Sequence, residues 1–533
     1  MQRRDFLAGV GRTVGGAAML RTMAAMGLGV TAVACGSSSA TPGAPVVPNP
    51  PAAPPSPRPG DWPANVGAGR SVLILGGGIA GMTTALEMTR LGYACTILEA
   101  TALAGGRTRT IRAGDSVVET DSTQLCSFDS DSDLYFNPGP ARIPHHHEFL
   151  LGYCRELGVP LEAFINDNRA ALMQSAASFN GEPQVARRVL ADTRGSIATL
   201  LAGAVNQGAL DGELSDADKA SILAMLRQFG DLDGQYGYAG TTRAGFPGQE
   251  MSGSRQRGEL LSPLALQDLI GDAFWQMRLD YSHDLDQQAT MLQPVGGMDR
   301  IARAFESRVA DQLIHEAVVT EIRKAPDGVS IVYRDRFGTS LGIDADYCVC
   351  TIPATVLKNI ANDFSSAHAA AIDNFAYTPA AKLAFQSRRF WEQDQNIYGG
   401  ISWTAHDITQ IWYPNYGFGR ANGILIGAYP FGGAAGDLFA AQTPGERINS
   451  GIAAGMDLHS GYDSEVSRGI SVAWAKVPFQ LGAWGISEPG VLLTADGNIH
   501  FAGEHLSILQ GWQEGAILSA YHAIDAVVAR DSA

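Results

Sequence analysis

Ser71 to Arg107 reads SVLILGGGIAGMTTALEMTRLGYACTILEATALAGGR, and the order of its parts decides the fold. An apolar run, Val72 to Leu75, leads into Gly76, Gly78 and Gly81 and then into helix formers, the strand, turn and helix that a dinucleotide site requires. Gly76 permits the tight turn, Gly78 lets the backbone approach a pyrophosphate, and Gly81 lets the helix lie close to the sheet. The free N–H groups at the helix start, around Ile79 and Ala80, then face the phosphates. A second apolar run, Ala94 to Leu98, ends in Glu99 and Ala100, where the carboxylate can take both ribose hydroxyls. The stretch therefore predicts a βαβ unit that binds a dinucleotide.

NAD and FAD share this half of such a site. Gly105-Gly106-Arg107, directly after the second strand, and the far end of the chain favour FAD. That end reads NIHFAGEHLSILQGWQEGAILSAYHAIDAVV. A short strand to Phe501 delivers Gly503 and Glu504. Ala516, Ile517, Ala520, Tyr521, Ile524 and Val527 then recur at helical spacing, so a helix begins near Trp512. Its positive end favours the negative charge of a reduced flavin. Read alone, the same segment is an ordinary amphipathic terminal helix.

The pair GGGIAG…E…GGR and FAGEH…GWQEGAI resembles the FAD-dependent amine oxidases, which include monoamine oxidases, polyamine oxidases and L-amino-acid oxidases. The resemblance extends over about residues 67 to 530. It implies a two-lobed α/β flavoprotein with a Rossmann-type FAD lobe, a mixed-sheet substrate lobe and a helical insertion. In one departure, Leu103 stands where the family usually has an arginine, two residues before the glycine pair.

The beginning of the chain has a different character. MQRRDFL places Arg3-Arg4 ahead of a Gly/Ala-rich run to Ala34, which reads as a twin-arginine export signal, with a generic secretory signal as the alternative. Arg12 and Arg21 interrupt the run, so it is not a spanning helix. Cys35 reads either as a lipoprotein acylation site, giving a lipid anchor, or as a residue that happens to follow an A-x-A cleavage site. The Ser/Pro-rich segment after it cannot form a core and reads as a tether. The expected location is the periplasm or envelope, or outside the cell.

The 533 residues, 45% hydrophobic and 17% charged, suffice for a large core and more than one domain. The formal charge is −16, and the residues ahead of Cys35 hold four arginines against one aspartate, so the remainder is more acidic still. That balance argues against nucleic acid as a partner. Cys95, Cys126, Cys154, Cys348 and Cys350 show no CxxC and no zinc spacing, and no disulfide framework is expected.

Mid-chain, Gly139-Pro140-Ala141-Arg142-Ile143-Pro144 fixes the backbone around one cation. A guanidinium matches a carboxylate in bidentate fashion, although alone Arg142 reads first as a structural ion-pair residue. The segment resembles the one by which L-amino-acid oxidases hold the substrate carboxylate. The three histidines that follow, His145 to His147, would point in three directions on a helix, so no metal site is expected. From Glu148 to about Leu285 the pattern reads as helical, including PLEAF, DADKASILAMLRQFG and SPLALQDLIGDAFWQMRLDY, broken by a glycine-rich loop. This insertion is expected to wall the substrate entrance.

The resemblance implies further roles. Val319, in the strand Ala317 to Ile322, would touch adenine through its backbone. Lys382, on an otherwise apolar strand, would hold a water beside flavin N5. Alone it reads as a lysine reaching from a sheet edge to solvent. Tyr429 would add a hydroxyl to the carboxylate clamp, and Trp484 and Trp512, with Gly511, would wall the substrate against the flavin. Covalent monoamine oxidases carry a cysteine just before the first of these rings. This chain has Ala483, so a noncovalent FAD is expected.

The expected domains are an export signal over 1–34 and a tether over 35–66. An FAD-binding domain is gathered from 67–125, 288–358 and 485–533, a substrate-binding domain from 126–165 and 359–484, and the insertion covers 166–287. The expected activity is oxidation of an L-amino acid to the 2-oxo acid with ammonia and hydrogen peroxide, oxygen being the acceptor. An amine or polyamine oxidase, an amino-acid 2-monooxygenase and a non-catalytic flavin-containing binding protein stay open as alternatives, as does a homodimer.

Overall fold

The computed structural model describes residues 62–247, 258–271 and 281–532. The Arg3-Arg4 signal, Cys35 and the tether up to residue 61 lie outside the described residues. The chain divides into two compact units, one of residues 57–174 with 280–533, the other including residues 175–279.

In the larger unit, Ser71–Leu75 lies at the centre of a five-stranded parallel sheet. The order is Leu313–Ile314, Ala94–Leu98, Ser71–Leu75, Tyr347–Cys350, Ile499–Phe501. These strands are apolar runs because both faces are covered: Val72 and Ile74 pack among helices on one side, and Leu73 and Leu75 pack against the antiparallel strands Val318–Ala325 and Gly328–Arg334 on the other. The register aligns Leu75 with Leu98 and with Cys350, and Cys350 with Phe501. The segments that begin at Gly76, Glu99, Thr351 and Ala502 therefore leave the sheet at one edge, where open α/β sheets bind ligands. That register brings the two ends of the chain together.

The helix Ile79–Arg90 is buried from Ile79 through Met88, each large aliphatic side chain contributing about 1.5–3 kcal/mol by leaving water. The terminal helix Gln513–Asp531 packs against it, with Ile517, Ile524 and Val527 in the same core as Met82 and Met88. A buried polar chain runs through that core: Tyr521 Oη donates to Tyr153 Oη (2.9 Å), which donates to Glu87 (2.6 Å). The terminal helix begins at Gln513 with Trp512 as its cap, as its spacing predicts.

A second sheet of the same unit runs Val466–Ala473, Ala381–Arg388, Asn422–Ala428, Gln410–Tyr413, Gly400–Thr404, Leu172–Gln174. Its pairs are antiparallel except the last. Tyr429 lies just past Ala428, its N–H donating to Ile408 O at 3.0 Å. A small sheet joins Ile143–Pro144, Met291–Pro294 and Leu161–Phe164, with Met291 opposite both Pro144 and Phe164. Val319 sits in the strand Val318–Ala325.

Two expectations are corrected here. Residues 161–164 of PLEAF form a strand, not a helix. A short apolar run fits either period, and pairing with Met291–Pro294 decides it. His145 to His147 are not helical. The chain must turn after the paired Ile143–Pro144, so the helix starts only at Glu148, with His147 as its cap at φ −78°, ψ 73°.

In the smaller unit, Ala186–Asn206 and Asp216–Gly230 are helices packed through Ala198, Ala202 and Leu226. A capping box of Ser215 and Asp218 starts the second, as DADKASILAMLRQFG predicts. Of SPLALQDLIGDAFWQMRLDY, Leu266–Leu269 is helical and residues 272–280 lie outside the described residues.

Candidate active site

Gly76 turns at φ +105°, and a Cβ on Gly81 would lie 2.0 Å from its carbonyl oxygen, so only glycine lets the helix start this close to the strand. At Gly78 the space is open, with no atom within 4 Å of a built Cβ. Met82 N–H donates to Gly78 O and closes the first turn. The N–H groups of Ile79, Ala80 and Gly81 therefore have no acceptor within the helix. Glu99 takes Gly77 N–H on one oxygen (2.8 Å) and Thr101 N–H and Oγ1 on the other (2.8 and 2.7 Å). Ala100 is half-buried beside it. Ala317 N–H donates to Glu99 O at 2.8 Å, which brings the strand of Val319 alongside. Gly105 N–H donates to Gly77 O at 2.8 Å and sets Gly106 against Gly78. Leu103 points to solvent, 65% exposed.

Glu504 ties this half to the other. Its Oε1 accepts from Arg107 (2.8 Å) and Gly485 N–H (3.3 Å), and its Oε2 from Gly511 N–H (2.8 Å). Arg107 also donates to Ala483 O at 2.5 Å. The loop of Trp484 and the loop before the terminal helix are thereby held to the GGR turn. Gly503 N–H donates to Ser519 Oγ at 2.8 Å. A Cβ on Gly511 would lie 3.3 Å from the Trp484 ring, so that glycine lies flat against the indole.

From Trp484 a row of rings leads inward: Phe431 at 6.2 Å, Tyr429 at 5.0 Å from Phe431, and Trp412 at 5.2 Å from Tyr429. Trp512 packs on the same cluster. The Arg142 guanidinium sits 4.6 Å from the Trp412 ring centroid, with Phe164 and Tyr281 at 5.9 and 5.7 Å. Arg142 Nη2 donates to Tyr281 Oη, while its Nε and Nη1 are buried with no partner among the described residues.

Lys382, 2% exposed, extends from Ala381–Arg388 to donate to Gly139 O (2.6 Å) and Asn137 O (3.3 Å), on the segment leading to Arg142. Burial first, then the Arg142 charge, holds its amine well below the ordinary lysine range. The amine lies over the faces of Trp412 and Tyr429, at 4.9 and 4.6 Å. Burial pushes the Tyr429 hydroxyl up to about 12 against the lowering effect of Arg142, so it stays protonated and can donate.

A family model for flavin containing amine oxidoreductases matches residues 79–528. The chain belongs to this family. The amine oxidoreductase is 25% identical to an L-amino-acid oxidase of Siganus canaliculatus over 480 residues, covering 86% of this chain and 85% of the relative. It is 25% identical over 503 residues to the flavin-dependent L-tryptophan oxidase RebO of Lentzea aerocolonigenes, covering 87% and 98%. Cyclohexylamine oxidase from Brevibacterium oxydans IH-35A superposes with a TM-score of 0.55 at 17% identity, covering 87% of this chain and 100% of that one. Putrescine oxidase bound to putrescine gives 0.54 at 14%, covering 86% and 99%. The fold is that of the FAD-dependent amine oxidases, and the enzyme is an FAD-dependent oxidoreductase acting on amines or amino acids.

The residues present fit that cofactor. Open space at Gly78, three N–H groups with no acceptor within the helix and an acidic residue at the second strand's end would meet a pyrophosphate and a ribose. Among the residues that the sequence motifs bring together, Trp412, Phe164 and Tyr281 are additions. They reach Arg142 from three separate elements, and no spacing in the sequence announces them.

Proposed function

We propose that this amine oxidoreductase is an L-amino-acid oxidase, forming a 2-oxo acid, ammonia and hydrogen peroxide with oxygen as acceptor. The observation that carries the reading is Arg142, a guanidinium with two buried nitrogens that lack hydrogen-bond partners among the described residues. Leaving a buried cation unpaired costs several kcal/mol, and a substrate carboxylate would supply both the counter-charge and an acceptor for these N–H groups. Amines without a carboxylate would leave them unmet. The solved neighbours are amine oxidases, but at their low identity they speak to the fold alone.

Gly76, Gly78, Ile79, Ala80 and Gly81 would hold the FAD phosphates, Glu99 and Ala100 the ribose, and Val319 the adenine. Gly106, Arg107, Gly503 and Glu504 would shape the flavin end, and Ala483, which has no nucleophile, supports noncovalent binding. When bound, FAD supplies the two-electron oxidation of the Cα–N bond.

Arg142 and the protonated Tyr429 hydroxyl would anchor the carboxylate and so fix the α-carbon and amine. Trp484, Trp512 and Gly511 would flank the α-carbon and exclude water. Lys382 Nζ donates two hydrogen bonds, and its neutral form would keep one lone pair with which to hold a water and take its proton. The Arg3-Arg4 pattern supports the further reading that the enzyme is exported by the twin-arginine route.

The test is anaerobic mixing of the FAD-loaded enzyme with L-amino acids and with the amines left by their decarboxylation, following flavin absorbance. Bleaching by amino acids and not by their amines is expected. Bleaching by amines alone would transfer the enzyme to the amine oxidases, and amide plus carbon dioxide in air would make it a monooxygenase.

A further inference from the structure

We propose that His146, His147 and Asp286 bind a divalent transition-metal ion of the zinc class, at a site outside the substrate cluster and one ring away from it. Each residue offers one donor atom, and the three donors lie within 4.8 Å of one another. His146 Nε2 and Asp286 Oδ1 already stand 2.9 Å apart. Donors bound to tetrahedral zinc at about 2.0–2.1 Å are separated by roughly 3.4 Å. The remaining closure falls on His146 and Asp286, whose side chains are 25% and 37% exposed and have room to move.

His147 is the second and independent observation. It is fully buried, and neither ring nitrogen has a hydrogen-bond partner among the described residues. Buried polar atoms are nearly always satisfied, so an imidazole with both nitrogens unmet calls for a ligand. His146 also has a buried nitrogen, Nδ1, without a partner among the described residues.

Two imidazoles and a carboxylate, with no thiolate, suit zinc, nickel or copper(II), while magnesium and calcium prefer all-oxygen shells. The part-exposed side of the cluster leaves a fourth position for water. The turn that displaces the histidines from the helix gives the site its geometry. His146 and His147 follow the strand Ile143–Pro144, Asp286 lies five residues before its partner strand Met291–Pro294, and the pairing of the two strands holds the donors together. The bound ion would brace the edge-on contact of His147 with Trp512, whose rings lie 5.1 Å apart.

The experiment uses the tag-free full chain, FAD-loaded and freed of metal with EDTA, titrated calorimetrically with zinc chloride and, as control, magnesium chloride. His146→Ala and Asp286→Asn are the variants, because both residues are part-exposed, and the flavin spectrum checks that each has folded. The expected result is one zinc per chain with a dissociation constant on the order of micromolar or tighter. Each variant should weaken binding by about tenfold or more. Zinc should raise the melting temperature of the wild type and not of the variants, and magnesium should do neither. Absence of saturable zinc binding overturns the proposal. So does equal affinity in wild type and both variants, which would assign the zinc to surface groups such as His145.

Discussion

Arg142 Cζ and Lys382 Nζ lie 4.6 and 4.9 Å from the centroid of one indole, that of Trp412. A guanidinium cannot lose its proton in a protein, so when two basic groups share a buried ring it is the amine whose charged form is disfavoured. One side chain then offers a permanent charge for a carboxylate, and the other a lone pair for proton work. The tryptophan that brings them together carries no charge of its own.

Arg142→Ala should lower kcat/KM for L-amino acids by about 100-fold or more, since a bidentate charged contact contributes about 3 kcal/mol. Arg142→Lys keeps the charge and loses the fork, so it should recover only part of that loss. Steady-state kinetics on an amino acid and its decarboxylated amine check both variants. An equal loss on the two substrates would sink the carboxylate anchor.

Lys382→Met should slow anaerobic flavin reduction by about 100-fold while leaving the flavin bound. It should also change how stability depends on pH. The folded pKa of Lys382 is depressed and its unfolded value is near 10.4, so between the two the unfolded chain holds a proton that the folded chain lacks. Wild-type stability therefore gains up to about 1.4 kcal/mol per pH unit from this group as pH rises, levelling off above about 10.4. The methionine variant lacks that slope. Denaturant melts of both proteins from neutral pH to pH 10 measure the difference, and parallel curves would show that Lys382 is charged in the folded enzyme.

The cofactor half is legible in the sequence because its signals are contiguous. Gly76, Gly78, Gly81 and Glu99 fall within one βαβ unit, and each answers a local backbone demand. The substrate half is legible only at the residues whose surroundings are unusual, a proline-flanked Arg142 and a lysine in the apolar strand Ala381–Arg388. Trp412, Phe164 and Tyr281 are ordinary aromatics in sequence. Phe164 reaches Arg142 because Met291 pairs with both Pro144 and Phe164, and register across a sheet is a tertiary fact. The same pairing overrides the helical reading of PLEAF and sends His145 to His147 into a turn, where their spacing along a helix no longer applies.

Gly78→Ala and Gly81→Ala should separate cofactor contact from packing. At Gly78, φ is −73° and a Cβ meets nothing within 4 Å. The apoprotein of Gly78→Ala should therefore melt within about 0.5 kcal/mol of wild type. Its FAD affinity should fall, because the methyl occupies the space left for the pyrophosphate. At Gly81 the Cβ would overlap Gly76 O at 2.0 Å, and forcing the helix off the sheet should cost about 3 kcal/mol even without FAD. Thermal melts of the apoproteins and fluorescence titration with FAD test the pair. Unchanged FAD affinity in Gly78→Ala would remove that glycine from the cofactor site.

Arg447→Met should destabilise the fold without touching the chemistry. Arg447 and Glu119 are both fully buried and joined by two hydrogen bonds, at 2.7 and 2.9 Å. Arg447 also donates to Phe439 O and Gln442 O, each at 2.9 Å. Removing the guanidinium leaves a carboxylate in the core with no counter-charge, a loss of about 3–5 kcal/mol. Replacing both partners, as Glu119→Leu with Arg447→Met, removes the stranded charge and should recover much of that loss. Neither residue contacts Arg142, Lys382 or Tyr429, so turnover per bound flavin should match wild type where the variant remains folded. Urea denaturation of the two variants measures the recovery. If the double variant were no more stable than the single one, the buried carbonyls and Ala473 N–H served by the pair, and not its charges, would be what the bridge supports.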